Sequence, residues 1–297
     1  MDENTNQTRD QADELRQLVR SCGLEEPQLP TLPSLIVVAG GKGGVGTTAI
    51  AANLAAMLAS MNESTILVDA DMQRADATTL CRLKPLRSLA DVLADRASVD
   101  DVMLLHETGL RVVPAAWAPN QPVEATATLR HRLMKVLGQL DRRADYVVVD
   151  AGNQRSSLTA QLWQAAAQVV LVTTPDDVAV MDTYAMIKSL TEPAAQTQIS
   201  TMVNCADDIF AAEDIQNRLE ISARRFLGIA LDSAGAVIRT PLLEHQGRTG
   251  WLGGRLPDSE IKSFFQRLAM TQQFLRDRAV TTSENEDHVH NVLSMAG

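Results

Sequence analysis

Short apolar runs return along the chain, separated by stretches of helical period. Leu35–Ala39, Thr65–Val68, Leu110–Val113, Tyr146–Val149, Val169–Val172, Ile199–Val203 and Ala234–Ile238 are rich in aliphatic and β-branched side chains. Runs this apolar on consecutive positions predict strands covered on both faces, and the helical stretches between them supply the cover. The expected fold class is α/β, a mostly parallel doubly wound sheet flanked by helices. In such sheets ligands collect at the carboxyl ends of strands. The polar residues that close the runs are therefore the first candidates for chemistry.

The two ends of the chain read differently. Thr8 and Gln11 have capping-box spacing, and Ala12, Leu15, Leu18 and Val19 fall on one helical face. Proline-bearing Glu25–Pro33 then separates this short helix from the first strand, as a linker does. A tethered amphipathic helix either folds back on its own domain or docks in a partner's groove, and the pattern does not choose. Near the other end, Ser259–Arg278 places Ile261, Phe264, Phe265, Leu268 and Leu275 at near-helical spacing. This predicts a last helix packed on the domain, since a membrane-surface helix carries more Lys and Arg on its polar face. The expected organisation is an arm over 1–34, a sheet domain over 35–278 and an acidic, disordered tail over 279–297.

The first run leads into Gly41-Lys42-Gly43-Gly44-Val45-Gly46-Thr47-Thr48, and a helical stretch, Ala49–Ser60, follows. A strand, a glycine turn and a helix N-terminus make a phosphate cradle, because successive N–H groups point inward and the helix dipole favours an anion. The spacing meets G-x-x-x-x-G-K-[ST] except that Thr47 stands where the lysine belongs. Two further runs end in carboxylates: Asp69 and Asp71 after the second strand, and Asp150, followed by Gly152, after Tyr146–Val149. Carboxylates beside a triphosphate can hold Mg²⁺ through water and position the attacking water.

Composition narrows the function classes. A net charge of −10 disfavours broad binding to nucleic acid, which relies on clustered Lys and Arg. Cys22, Cys81 and Cys205 form no metal spacing and leave an odd thiol, as expected of a reduced cytosolic protein. The polar start Met1–Asp10 is no secretory signal, and no window approaches a membrane span. The expected location is the cytoplasm.

GGKGGVGTT resembles the deviant Walker A loop of the MinD/ParA ATPases, usually KGGVGK[ST]T. Asp10-Gln11-Ala12-x-x-Leu15-Arg16 is similar to the DQAxxLR element of the FlhG (FleN) group, MinD-like regulators of flagellar number and placement. Asp69–Pro114, Val170–Leu190 and Ala223–Leu231 also look like FlhG, so the likeness spans roughly residues 10 to 275. The resemblance implies ATP and Mg²⁺ as ligands, bound by Gly41, Gly43, Gly44, Val45, Gly46, Thr47 and Thr48, and an ATP-linked homodimer. In that family Lys42 would reach the partner's phosphates and Asp71 would orient the attacking water, with Asp69 in support. Thr48, Asp69 and Asp150 would serve the metal, Gly152 would let the loop after its strand approach the γ-phosphate, and Asn204 would read adenine. The helix bearing Asp10, Gln11, Ala12, Leu15 and Arg16 would stimulate an FlhF-like SRP-type GTPase. Flagellar basal-body or regulatory proteins are further implied partners.

Two departures qualify those expectations. Thr47 offers a hydroxyl but no charge, and a preorganised charge at the reacting centre is worth on the order of 10²–10³ in rate. Hydrolysis is expected to be weakened or lost, and nucleotide binding to depend strongly on dimerisation through Lys42. The same loss resembles the CpaE/TadZ and BcsQ branches, localisation factors for pilus and cellulose machinery, which makes a non-hydrolysing scaffold the alternative. The tail, with Glu284, Glu286 and Asp287, repels anionic lipid, so the peripheral membrane contact known in MinD and FlhG is weakly supported.

Overall fold

The computed structural model describes residues 32–71, 74–115, 126–190, 197–239 and 262–272. Expectations for the arm, Asp10 to Arg16 included, and for the tail lie outside the described residues. In chain order the elements are β1 (Leu32–Gly40), α1 (Thr47–Ser60), β2 (Thr65–Asp69), α2 (Asp76–Leu80), α3 (Leu89–Leu93), α4 (Val99–Val102), β3 (Leu104–Leu105) and β4 (Arg111–Val113). They continue with α5 (Ala127–Asp141), β5 (Tyr146–Asp150), α6 (Ser157–Ala165), β6 (Ala166–Thr173), α7 (Asp177–Leu190), β7 (Gln198–Ala206), α8 (Ile209–Leu227) and β8 (Asp232–Ile238). A helical segment over residues 262–272 follows.

Eight strands form one sheet in the order β3-β4-β2-β5-β1-β6-β7-β8. Every pairing is parallel except β3 with β4, at one edge. Strand β1 lies between β5 and β6, so it is flanked on both sides and its run is apolar on both faces. Leu35, Val37 and Ala39 enter one core layer, and Ile36 and Val38 enter the other. That split follows from the two-residue period of a strand. The layer with Leu35 is closed by α3 to α8, and the layer with Ile36 by α1, α2 and the segment 262–272.

Helix α1 is unusually enclosed. Ten of its residues are buried, from Thr47 to Leu58. Ala51, Ala52, Ala55 and Ala56 let it lie close to the sheet while Leu54, Met57 and Leu58 fill the layer. The segment 262–272 buries Phe264, Phe265 and Leu268 in the same layer. Its apolar face is therefore spent on the core, as the spacing predicts. Among the described residues no helix is long and apolar enough to cross a membrane.

Strand positions agree with the hydrophobic pattern, with three differences. Strand β1 begins at Leu32, inside the stretch expected to be arm and linker. The antiparallel β3 has no apolar run of its own, because an edge strand of two residues needs none. Strand β6 begins at Ala166, directly where α6 ends at Ala165, so its first residues read as helix.

Candidate functional site

The glycine loop between β1 and α1 is held from three sides. Gly40 N–H donates to the Gly152 carbonyl at 2.9 Å, which joins the loop's entrance to the segment leaving β5. A Cβ on Gly41 would strike the backbone of Thr183 in α7, so that helix lies directly on the loop. The Asn204 amide, from β7, donates to the Val45 carbonyl at 2.8 Å. Gly46 adopts φ 92°, and a Cβ there would collide with that same amide. Two independent reasons thus favour glycine at position 46: a left-handed backbone, and an amide that would have to shift from its bond to Val45.

Asn204 reached the site by resemblance to an adenine-reading position. Here its Nδ2 holds the loop, and its Oδ1 accepts from Cys205 N–H at 3.0 Å. Cys205 itself has φ 56°, so the strand turns sharply as it delivers the amide. Nothing in the sequence around Asn204 pointed to this fastening, which spans 159 positions.

Helix α1 starts at Thr47 with Gly46 as its cap, no side-chain capping bond and no acidic residue in its first turn. Its first N–H groups and the positive end of its dipole are left to an anion. Thr47 is buried, with its hydroxyl against Gly40. Lys42 is on the outer side, half exposed, and its Nζ lies 3.2 Å from Asp176 Oδ1. Asp176 also accepts from Thr174 Oγ1 and from Ala179 N–H, as a cap of α7. The Thr174 hydroxyl first, then the Ala179 amide and Lys42, hold its carboxyl down at about 2.

The acidic candidates gather at the carboxyl ends of neighbouring strands, where Asp69 and Asp150 stand side by side in register. Both are fully buried. Asp69 gives both oxygens to backbone, accepting from Asp71 N–H and Ala77 N–H, each at 3.2 Å. It thereby closes the loop after β2, and its pKa is raised well above the carboxylate range by burial and then by Asp150. Asp150 accepts from Gly152 N–H through Oδ1, while its buried Oδ2 has no hydrogen-bond partner. Burial pushes its pKa up to about 6, against the lowering effect of the Thr48 hydroxyl beside it. Asp71 packs its carboxylate against Gly152 and accepts from Arg74 N–H at 3.2 Å.

An orphaned carboxylate oxygen, a hydroxyl beside it and an open helix N-terminus form a donor set that suits a hard divalent cation carried on phosphate. Among the described residues no group of three or more His, Cys, Asp or Glu could hold a metal alone. Phosphate oxygens would complete the shell. Residues near the loop that the sequence did not single out are Asp176, Thr183 and Asn153. Only Asp176 had a local signal, since Thr174-Pro175-Asp176 before a helical run reads as a helix start.

The fold and this loop define a P-loop nucleotide-binding domain of the deviant Walker A kind. The family model described as "AAA domain" matches residues 34–202. The chain is 32% identical to the antiactivator FleN of Pseudomonas aeruginosa over 203 residues, 68% of this chain and 72% of that protein. It is likewise 32% identical to the flagellum site-determining protein YlxH of Helicobacter pylori, over 52% of each. Among solved structures, the septum site-determining protein MinD of Pyrococcus horikoshii, complexed with Mg-ADP, superposes with a TM-score of 0.63. That match has 20% identity and covers 79% of this chain and 93% of the other. The chain belongs to the MinD/ParA family of P-loop ATPases, as an FlhG/FleN-like member.

Proposed function

We propose that this protein is an ATP-binding switch that controls the number or placement of flagella. The observation that carries the proposal is the buried, unpaired Oδ2 of Asp150 beside Thr48, at the foot of a glycine loop whose helix N-terminus has no cap of its own. That arrangement suits Mg²⁺ with a nucleotide triphosphate. The likeness to FleN and YlxH supports the flagellar process, and the Mg-ADP complex of a MinD supports the ligand.

In this reading the loop N–H groups and α1 bind the phosphates, while Thr48 and Asp150 face the metal. Asp71, set against Gly152, takes the place from which a water is oriented. Thr48 and Asp150 would hold Mg²⁺, which would supply charge neutralisation for the bound phosphates. Lys42 leaves Asp176 to meet a second copy's phosphates, giving an ATP-linked dimer. The N-terminal helix with Asp10, Gln11, Ala12, Leu15 and Arg16 engages an SRP-type GTPase. The setting is the cytoplasm or the inner face of its membrane.

Thr47 favours a second reading, in which the protein binds nucleotide but turns it over slowly or not at all and acts as a scaffold. One experiment separates the two. Mg·ATP binding, turnover and mass in solution are measured on the full chain beside Asp71→Ala. Turnover lost in the variant supports the switch, and binding without turnover supports the scaffold. Absence of binding overturns both. Deletion in the source organism should change flagellar number or position, and an unchanged pattern would sink the flagellar assignment.

A further inference from the structure

The site as described holds three carboxylates, Asp69, Asp71 and Asp150, and its buried loop position carries Thr47 instead of a cation. A triphosphate adds more negative charge. Mg²⁺ offsets part of it, and Lys42 is directed outward onto Asp176. The question is which group of the same chain meets the terminal phosphate.

The segment leaving β5 runs alongside the glycine loop at successive points. Gly152 accepts from Gly40 N–H. The Asn153 amide nitrogen lies 3.5 Å from where a Cβ on Gly43 would be. Two residues on, Arg155 NH2 lies 3.8 Å from Asp182 Oδ1 in α7. Asp182 directly precedes Thr183, the residue whose backbone lies on Gly41. Arg155 thus follows Gly152 by three residues and pairs with α7 at the position next to the residue that lies on Gly41. It is held by a long, half-exposed ion pair of the kind that contributes little. An exposed pair near the distance limit is readily exchanged for the oxygens of a dianionic phosphate, which a guanidinium can bind bidentately.

We propose that Arg155 is the phosphate-binding cation of this site: it leaves Asp182 and meets the terminal phosphate of bound ATP, supplying the charge that Thr47 lacks. The inference rests on the nucleotide reading above. In that geometry Asp182 is the parking partner, and Arg155 senses whether the γ-phosphate is present.

The test is a binding cycle on the full-length protein with Mg²⁺, using ADP and a non-hydrolysable ATP analogue as probes and fluorescence or calorimetry as readout. Arg155→Ala is expected to weaken the triphosphate analogue about tenfold or more, the scale of one lost charge-assisted bond. ADP binding should change by less than about twofold, since the contact is to the γ-phosphate alone. Arg155→Lys should retain part of the preference, and Asp182→Asn should tighten the analogue by freeing the guanidinium. Restoring the loop cation with Thr47→Lys should make the Arg155→Ala loss much smaller, because both cations would serve one phosphate. Equal losses for ADP and the analogue, or a loss undiminished in the Thr47→Lys background, would assign Arg155 a structural role and overturn the proposal. Wild-type protein that binds neither probe would overturn it together with the nucleotide reading. Wild-type protein that binds both, with Arg155→Ala unaltered, would overturn this inference alone.

Discussion

The two halves of the glycine loop are built to different rules. The outer half, Lys42 to Gly44, is half exposed or exposed, and its one charged side chain is paired on the surface with Asp176. In the inner half Val45 and Thr47 are buried, and Val45 is fastened by Asn204. The strict geometry thus resides where phosphate would be cradled, and the adaptable charge resides where a partner could be met. A buried lysine at position 47 would have joined both tasks in one place. Its replacement by Thr47 leaves shape on the inside and charge on the outside.

The contrast is broken most severely by adding one methyl group to different glycines. Gly41→Ala drives Cβ into the Thr183 backbone, and Gly46→Ala adds a left-handed φ to a collision with Asn204. Each is expected to lower unfolding free energy by about 2–4 kcal/mol, measured by urea denaturation. Gly43→Ala, whose Cβ would make only an ordinary contact with Asn153, should leave stability within about 0.5 kcal/mol. A destabilised Gly43→Ala beside a tolerated Gly46→Ala would reverse the assignment of strict and adaptable halves.

Asp150→Asn is the next largest effect, with opposite signs on stability and function. Burial holds the Asp150 pKa at about 6 instead of 3.8. Between those values the folded protein keeps a proton that the unfolded chain has released, so this group lowers stability as pH rises through the window. The penalty is complete above pH 6 and amounts to at most about 3 kcal/mol, from 1.36 kcal/mol per pKa unit. Asp150→Asn should therefore raise the melting temperature of nucleotide-free protein at pH 7.5, change it little at pH 4, and remove the Mg²⁺ dependence of nucleotide binding. Melting curves at the two pH values check the first part, and titration with and without EDTA checks the second.

Asn204→Ala removes the hydrogen bond that holds the inner half and the one from Cys205 N–H, and should cost about 1–2 kcal/mol in chemical denaturation. If the main role of Asn204 is to hold the loop, ATP and GTP affinities fall together. A selective loss of ATP would return it to reading adenine. The smallest effect on folding is expected at Lys42→Ala, because an exposed ion pair contributes little. Its melting temperature should stay at the wild-type value while ATP-dependent dimerisation, read by light scattering, is lost.

Much of this site was legible before the fold was known. Gly41 to Thr48, Asp69, Asp71, Asp150 and Gly152 stand at the ends of apolar runs, and a parallel sheet brings such ends to one edge. Less legible was the division of labour among the carboxylates. Asp69 and Asp150 look alike in sequence, yet Asp69 gives both oxygens to backbone N–H groups and Asp150 keeps one free. That difference depends on where the loop after β2 returns as α2. It has no local signature.

The sequence by itself determined the layered α/β architecture, the place of the phosphate loop and the missing charge at Thr47. Hydrophobic period and glycine spacing are short-range properties, readable within a few residues. Only the tertiary structure decided what surrounds the loop: Thr183 lying on Gly41, Asn204 fastening Val45, Asp176 holding Lys42 and Arg155 resting on Asp182. Each of these pairs joins a loop to a segment well removed from it in the chain. Their meeting is set by how the elements stack on the sheet, which no local pattern of side chains encodes.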